Sequence, residues 1–420
     1  MRTRVSIGVA LWLTLVLLSA APAQKTLNVP AEYKTIQAAI DAAQTSDTVL
    51  VASGTYREPI DFKGKAIQVV CGGLPYSAVL DGQLQQVPVV TFATNELRQA
   101  TLAGFTITQS GASGILIKGS SPTIQGCRIV GNRNSAYDEG GGIRCDSGQP
   151  LIVDCLITNN GVARFGGLGG GVFSRGSAEI VNTVIADNSA TDGGGVQGFA
   201  HLVNCVVVRN FAEETGGGID GSCTLRNAIV WANSAKLYPQ IFSASAEHCC
   251  VQGGYSGRGN IDQNPCFVSS TDYHLRAMSP CINAGLNSAP SLPAIDFEGD
   301  PRIAEGTVDI GADEFFPHLY HVGTATPTGT IDVNFVGKPG AYAWWGFSHD
   351  VLTVPASIPG LSGWLYLNPA GMAVLPVGQV PLGGTITIRY TFAASFPKIS
   401  IPMQALIGFQ LSNLDPVHVQ

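Results

Sequence analysis

The chain has 420 residues, a formal net charge of −7 and only 13% charged residues. An acidic balance with so few basic side chains excludes a nucleic-acid-binding surface. Its 51 glycines and sparse charge fit a turn-rich β architecture better than a helical one.

Arg2 and Arg4 precede an apolar run from Val5 to Leu18, and Ala21-Pro22-Ala23 follows as a small-residue cleavage signal. This pattern predicts a secretory signal peptide over residues 1–23, with Gln24 starting an exported mature chain. Losing the two arginines would move the formal charge from −7 to −9. No other stretch approaches the ~20 apolar residues of a spanning helix. The mature chain is therefore expected to be secreted or held at the cell surface, without a membrane span, as a monomer.

Residues 24–70 read as an entry cap and first coils. Ile36, Ala39, Ile40 and Ala43 have helical spacing, which predicts a short amphipathic helix over Thr35–Ala43. Such a helix would cover an otherwise open strand edge. Asp47–Val51 and Ile67–Val70 read as the first strands.

From residue 71 the chain repeats itself. An aliphatic residue recurs at Leu102, Ile124, Ile152, Ile180, Leu202 and Leu225. Five positions after each stands another, at Ile107, Ile129, Ile157, Ile185, Val207 and Val230. Eight positions after each comes a turn-type residue, at Ser110, Asn132, Asn160, Asn188, Asn210 and Asn233. A third aliphatic column runs through Ile115, Ile143, Val172, Val196 and Ile219, the last four each behind Gly-Gly-Gly. The repeat length varies while these spacings hold, as in a stacked solenoid. Within a repeat, the alternation breaks at Gly104, Gly126, Asp154, Asn182, Asn204 and Asn227, residue types that tolerate a left-handed backbone. Three short strands per coil, stacked about 4.8 Å apart in parallel register, account for the pattern.

On these columns the chain resembles the right-handed parallel β-helix proteins of the pectin-lyase-like superfold. The expected fold is all-β: a right-handed parallel β-helix over residues 71–315, followed by a small antiparallel β-sandwich over 316–420. The cap segment is similar to the N-terminal caps of secreted β-helix proteins. Its Gly54-Thr55-Tyr56-Arg57-Glu58 matches the G-x-Y-x-E element of pectin methylesterases, a turn shared across many β-helices. The other signatures of that superfold's enzymes are missing. The chain has no Asp-Asp, G-H-G or R-x-K, as in polygalacturonase-like hydrolases, and no D-F-I-F-G or L-G-R-P-W, as in pectin methylesterases. The R-x-P-x-x-R of pectate lyases is also absent.

A packed β-helix core leaves no room for substrate, so outward faces and loops carry any site. The loops between each turn residue and the next glycine triplet vary in length and bring Asp138, Glu139, Asp192, Glu213 and Glu214 close to the triplets. Carboxylates stacked ~5 Å apart repel unless a cation neutralises them, and Ca²⁺ suits such hard oxygen ligands; a solvated polar edge is the alternative. Arg144 beside Asp138 and Glu139 is a candidate base for a uronate lyase, or an ordinary ion pair. Phe173, Gln197 and Asp220, with Glu179 and His201 on the next strand, are the expected outward glycan-binding residues.

Ten cysteines in an exported chain raise the question of disulfides. Cys127, Cys155 and Cys205 share one inward column and read as small hydrophobes, the alternative being a bond between Cys127 and Cys155 on adjacent coils. Cys266 and Cys281 lie outside the ladder and form the expected disulfide.

Asp272–Gly285, Asp296–Arg302 and Val308–Phe315 resemble the C-terminal signature of exported bacterial β-helix proteins of the choice-of-anchor type, which implies a surface-sorted family rather than a reaction. Beyond it, alternating runs at 329–336, 363–367 and 385–392 predict the sandwich. Trp344, Trp345, Trp364 and Tyr366 are its carbohydrate-binding candidates, the alternative being a folded spacer. The leading expectation is a non-catalytic extracellular protein that binds glycans or serves a structural role. The rival is a lyase or hydrolase of acidic polysaccharide with an atypical site.

Overall fold

The computed structural model describes residues 24–135, 139–163, 165–297, 299–304 and 306–315, and beyond residue 317 it describes strands by their backbone. The predicted signal peptide, Asp138 and Trp364 lie outside the described residues. From Thr26 to Val251 the chain forms short strands that pair in parallel, in sheets of sixteen, nine and four strands. The expected columns are its core ladders. Leu102, Ile124, Ile152, Ile180, Leu202 and Leu225 share one register position on successive coils. Ile107 to Val230 share a second, and Ile115 to Ile219 a third. All are fully buried. Each such side chain contributes about 1.5–3 kcal/mol, so the ladders carry the stability of the solenoid.

The bend column is left-handed throughout, from φ 82° at Gly104 to 48° at Asn182, and His248 extends it at 51°. The turn column differs from expectation. The left-handed residue there is the one before it: Gln109, Gly131, Asn159, Asp187, Arg209 and Ala232. Ser110 and the asparagines that follow it on successive coils are buried instead. The Nδ2 groups of Asn132, Asn160, Asn188 and Asn210 each donate to the Oδ1 of the next asparagine, at 3.0 Å in every case. Each Oδ1 also accepts the backbone N–H of the asparagine before it, and the chain of amides ends on Gln240. A side-chain amide matches the rung spacing and satisfies backbone groups that the corner would otherwise leave buried and unpaired.

The glycine triplets sit where neighbouring coils approach most closely. Gly193 has φ 64°, and a Cβ on Gly194 would stand 2.3 Å from the carbonyl oxygen of Phe211 on the next coil. In the Cys127, Cys155 and Cys205 column the thiols are buried and free, and they donate to carbonyl oxygens such as Leu102, Val153 and Ile180. Burial pushes Cys127 and Cys205 up to about 12, which leaves them inert.

The cap helix spans Ile36–Ala42 and buries Ile36, Ala39 and Ile40. Thr35 Oγ1 accepts the N–H of Ala38 at 3.1 Å, an N-cap that fixes its start. Glu58, from the G-x-Y-x-E element, accepts the N–H groups of Ile36 and Gln37 at 2.9 and 3.1 Å, so its role here is to hold the helix. A strand not read from the sequence, Thr26–Val29, precedes the helix and pairs with Thr48–Val51.

Past Val251 the C-terminal signature folds back along the outside of the nine-stranded sheet. Leu275, Cys281, Ile310, Ala312 and Phe315 pack on Val184, Ala186, Val206, Val208, Ile229 and Cys250 in a second apolar layer. Its carboxylates make turns: Asp296 accepts from Gly299, Asp300 and Glu314 N–H, Asp309 from Asn283 and Phe315, and Glu314 from Ala304 and Asp309. Arg302 is buried at their centre and donates to Asn182 Oδ1 and to the carbonyls of Gly311 and Ala312. Burial pushes Asp309 up to about 6, Asp313 to about 7 and Glu314 to about 8. The fold therefore holds protons that the unfolded chain releases near pH 4. The stability they contribute is complete below that pH and is lost as the pH rises through 6 to 8. The apparent Tm is expected to fall by several degrees between pH 5 and pH 8.5; a calorimetric Tm that rises over that interval would contradict the buried-carboxylate layer.

Between His318 and His418 the described strands pair antiparallel, in sheets of three, four and two strands. The predicted runs coincide with Thr330–Val336, Leu365–Leu367 and Thr385–Thr391. Trp344, Trp345 and Tyr366 lie on strands of these sheets.

Candidate functional site

The loops beside the glycine triplets stack into a column of their own. Glu139 pairs with Leu168, Leu168 with Asp192, Asp192 with Thr215 and Thr215 with Leu237. The carboxylates of Glu139 and Asp192 are therefore two rungs apart, about 10 Å, with a leucine between them. A bulge between Ala212 and Thr215 displaces Glu213 and Glu214 from the column. Glu214 instead pairs with Lys236 at 3.1 Å, and Glu213 is exposed. Of the expected calcium ligands Asp138, Glu139, Asp192, Glu213 and Glu214, the last four do not come together, and among the described residues, which leave out Asp138, there is no group of three metal-ligating side chains. Leu168 takes the rung between Glu139 and Asp192, a placement that unequal loop lengths hide in the sequence.

Arg144 does meet Glu139, at 3.2 Å, and also Asp146, at 2.6 Å. Arg175 adds a second guanidinium on Glu139. Charges so committed to one another suit a fixed ion-pair network rather than a free base.

Arg144, Phe173, Gln197, Asp220 and Phe242 occupy one outward register position on five successive coils. Phe173 is not available as expected: it is 2% exposed, and the Arg175 guanidinium lies 5.3 Å from its ring centre. Gln197 is half-buried. Asp220 is buried against the loop column, where the Thr215 hydroxyl contacts it and also donates to Asp192 Oδ1 at 2.8 Å. Burial pushes its carboxyl above the ordinary range; the Thr215 contact pulls it back, and the charge of Asp192 adds to the rise.

The line ends in a feature the sequence reading missed. Phe242 and Tyr238 stack with ring centres 4.7 Å apart and an interplanar angle of 26°, and both are exposed. The alternation after inward Ile241 already placed Phe242 outside. Tyr238 lies in an irregular loop, where no period predicts direction.

Glu179 and His201 belong to a different ladder of the sixteen-stranded sheet, beyond a corner at Gly148, Gly176, Gly198 and Gly221. There they line a cleft of about 410 Å³ with Arg98, Thr224, Arg226 and Ser291. Arg98 pairs with Glu179 at 2.9 Å and Arg226 with Glu247 at 3.1 Å. His201 Nδ1 lies 2.6 Å from Thr224 Oγ1. Arg98 Nη1 is buried without a hydrogen-bond partner. The expected single binding face is thus two surfaces, divided by the corner.

Cys266 and Cys281, the expected disulfide pair, lie in different surroundings, each as a free thiol. Cys266 is half-buried and contacts its own loop at Asn264, whereas Cys281 is drawn into the apolar layer beneath the C-terminal segment.

The description "right handed beta helix region" matches residues 91–238. No curated protein matches the chain. Among solved structures, Escherichia coli YbhC is 14% identical with a TM-score of 0.34, covering 60% of this chain and 78% of that one. The enzymatically active domain of bacteriophage CBA120 tailspike protein 4 is 11% identical with a TM-score of 0.27, covering 91% of this chain and 65% of that one. No helix among the described residues is long and apolar enough to cross a membrane. The chain is an all-β protein built on a right-handed parallel β-helix.

Proposed function

We propose that this is an exported, monomeric β-helix protein that binds an extracellular or surface polysaccharide along its outward face without cleaving it. The stacked Tyr238–Phe242 pair carries this reading. Two exposed rings in line with half-buried Gln197 offer a flat apolar contact for a sugar ring beside a hydrogen-bonding amide. Binding is tested by affinity electrophoresis against a panel of neutral and acidic polysaccharides. Tyr238→Ala and Phe242→Ala should each weaken retention about tenfold while leaving Tm within a degree or two. Variants that bind like the wild type would overturn the assignment.

A hydrolase is the second reading, favoured by the Asp192–Thr215–Asp220 contact, in which one threonine hydroxyl brings two carboxyl groups together. It requires the wild type to release new reducing ends from a bound polysaccharide and Asp220→Asn to abolish that release. Intact polymer after prolonged incubation would exclude it.

A further inference from the structure

Strand alternation sends the vicinal cysteines to opposite sides of the last coil. Cys249 points into the helix core, and Cys250 points out into the layer beneath the C-terminal segment. There Cys250 meets Cys281: both are fully buried, and their side chains hydrogen-bond to each other. Each cysteine's backbone is tied into its own surroundings. Cys250 N–H donates to Ala228 O at 2.9 Å and its thiol to Gln263 O at 3.1 Å, while Ile310 N–H donates to Cys281 O at 2.9 Å.

We propose that Cys250 and Cys281 form a disulfide that staples the C-terminal segment to the last coil of the helix. The bond closes a loop of about 30 residues over the nine-stranded sheet. Its chemistry is thiol–disulfide exchange. The Cys250 thiolate attacks a disulfide oxidant, forms a mixed disulfide and expels one thiolate; the Cys281 thiolate then attacks Cys250 Sγ and expels the second. Two protons and two electrons leave the pair, and the oxidant is reduced to two thiols. Since neither sulfur is accessible in the closed fold, exchange belongs to folding, before the segment seats. Once seated, the bond is sealed from reductants.

The test is refolding of the mature chain in a glutathione redox buffer, followed by alkylation in denaturant and peptide mapping. One cross-link between the Cys250 and Cys281 peptides is expected, with the other eight cysteines recovered as alkylated thiols. Reduction in denaturant followed by refolding without oxidant should lower the Tm by about 5 °C or more. Cys281→Ser should show that lower Tm whether or not oxidant is present, and Cys250→Ala gives the same readout if the first variant does not fold. Recovery of both as alkylated thiols, or a Cys266–Cys281 cross-link, would overturn the pairing. Neither outcome touches the glycan reading, which depends on the opposite side of the coil.

Discussion

Asn188→Leu is expected to destabilise the helix by about 3 kcal/mol or more, although leucine has nearly the shape of asparagine. Asn188 Oδ1 accepts both the backbone N–H and the Nδ2 of Asn160, at 2.9 and 3.0 Å, and its own Nδ2 reaches Ile157 O and Asn210 Oδ1. Leucine leaves the Asn160 N–H buried without an acceptor and removes a donor from Ile157 O. Each orphaned group costs about 1–3 kcal/mol, and the substituted methyl groups recover only part of that. The amides also polarise one another, so a break at the centre weakens both halves. Urea unfolding followed by far-UV circular dichroism reads the effect. A loss under about 1 kcal/mol would mean that the amide ladder contributes nothing beyond packing.

Ile180→Asp should do more damage: about 5 kcal/mol, or failure to fold. Ile180 is fully buried between Ile152 and Leu202, and no cationic side chain shares that column. Its neighbour Glu179 faces outward and pairs with Arg98, so Glu179→Ala should change stability by about 1 kcal/mol or less. That contrast between consecutive residues is the test of register. Soluble yield and Tm should collapse for the first and hold for the second; equal effects would contradict the alternation.

The core was legible because the stack forces it to be. A residue lying between identical positions above and below, such as Ile152 between Ile124 and Ile180, has only one environment open to it. The left-handed bends were legible for the same reason, since Gly, Asn and Asp tolerate that backbone. The asparagines after each second strand gave a composition signal that fits a turn and a buried ladder equally well; only the hydrogen bonds separate the two. The site was less legible. The loop acids are spaced by loops of unequal length, so Leu168 falls between Glu139 and Asp192, and these two are not neighbours. Phe173 faces outward by alternation, yet Arg175 covers it, a contact that no period encodes. The second apolar layer did leave a trace: Val206, Val207 and Val208 are aliphatic on both faces of one strand, as a strand covered on both sides must be.

Amide hydrogen exchange of the mature protein, with and without the polysaccharide it retains best, tests the functional account most directly. Added protection is predicted over residues 196–198, 219–221 and 237–242, with the nine-stranded sheet beneath the C-terminal segment unchanged. Protection confined to that sheet or to the strands beyond residue 317, or none with any polysaccharide, would contradict a glycan site on the Gln197–Asp220–Phe242 line.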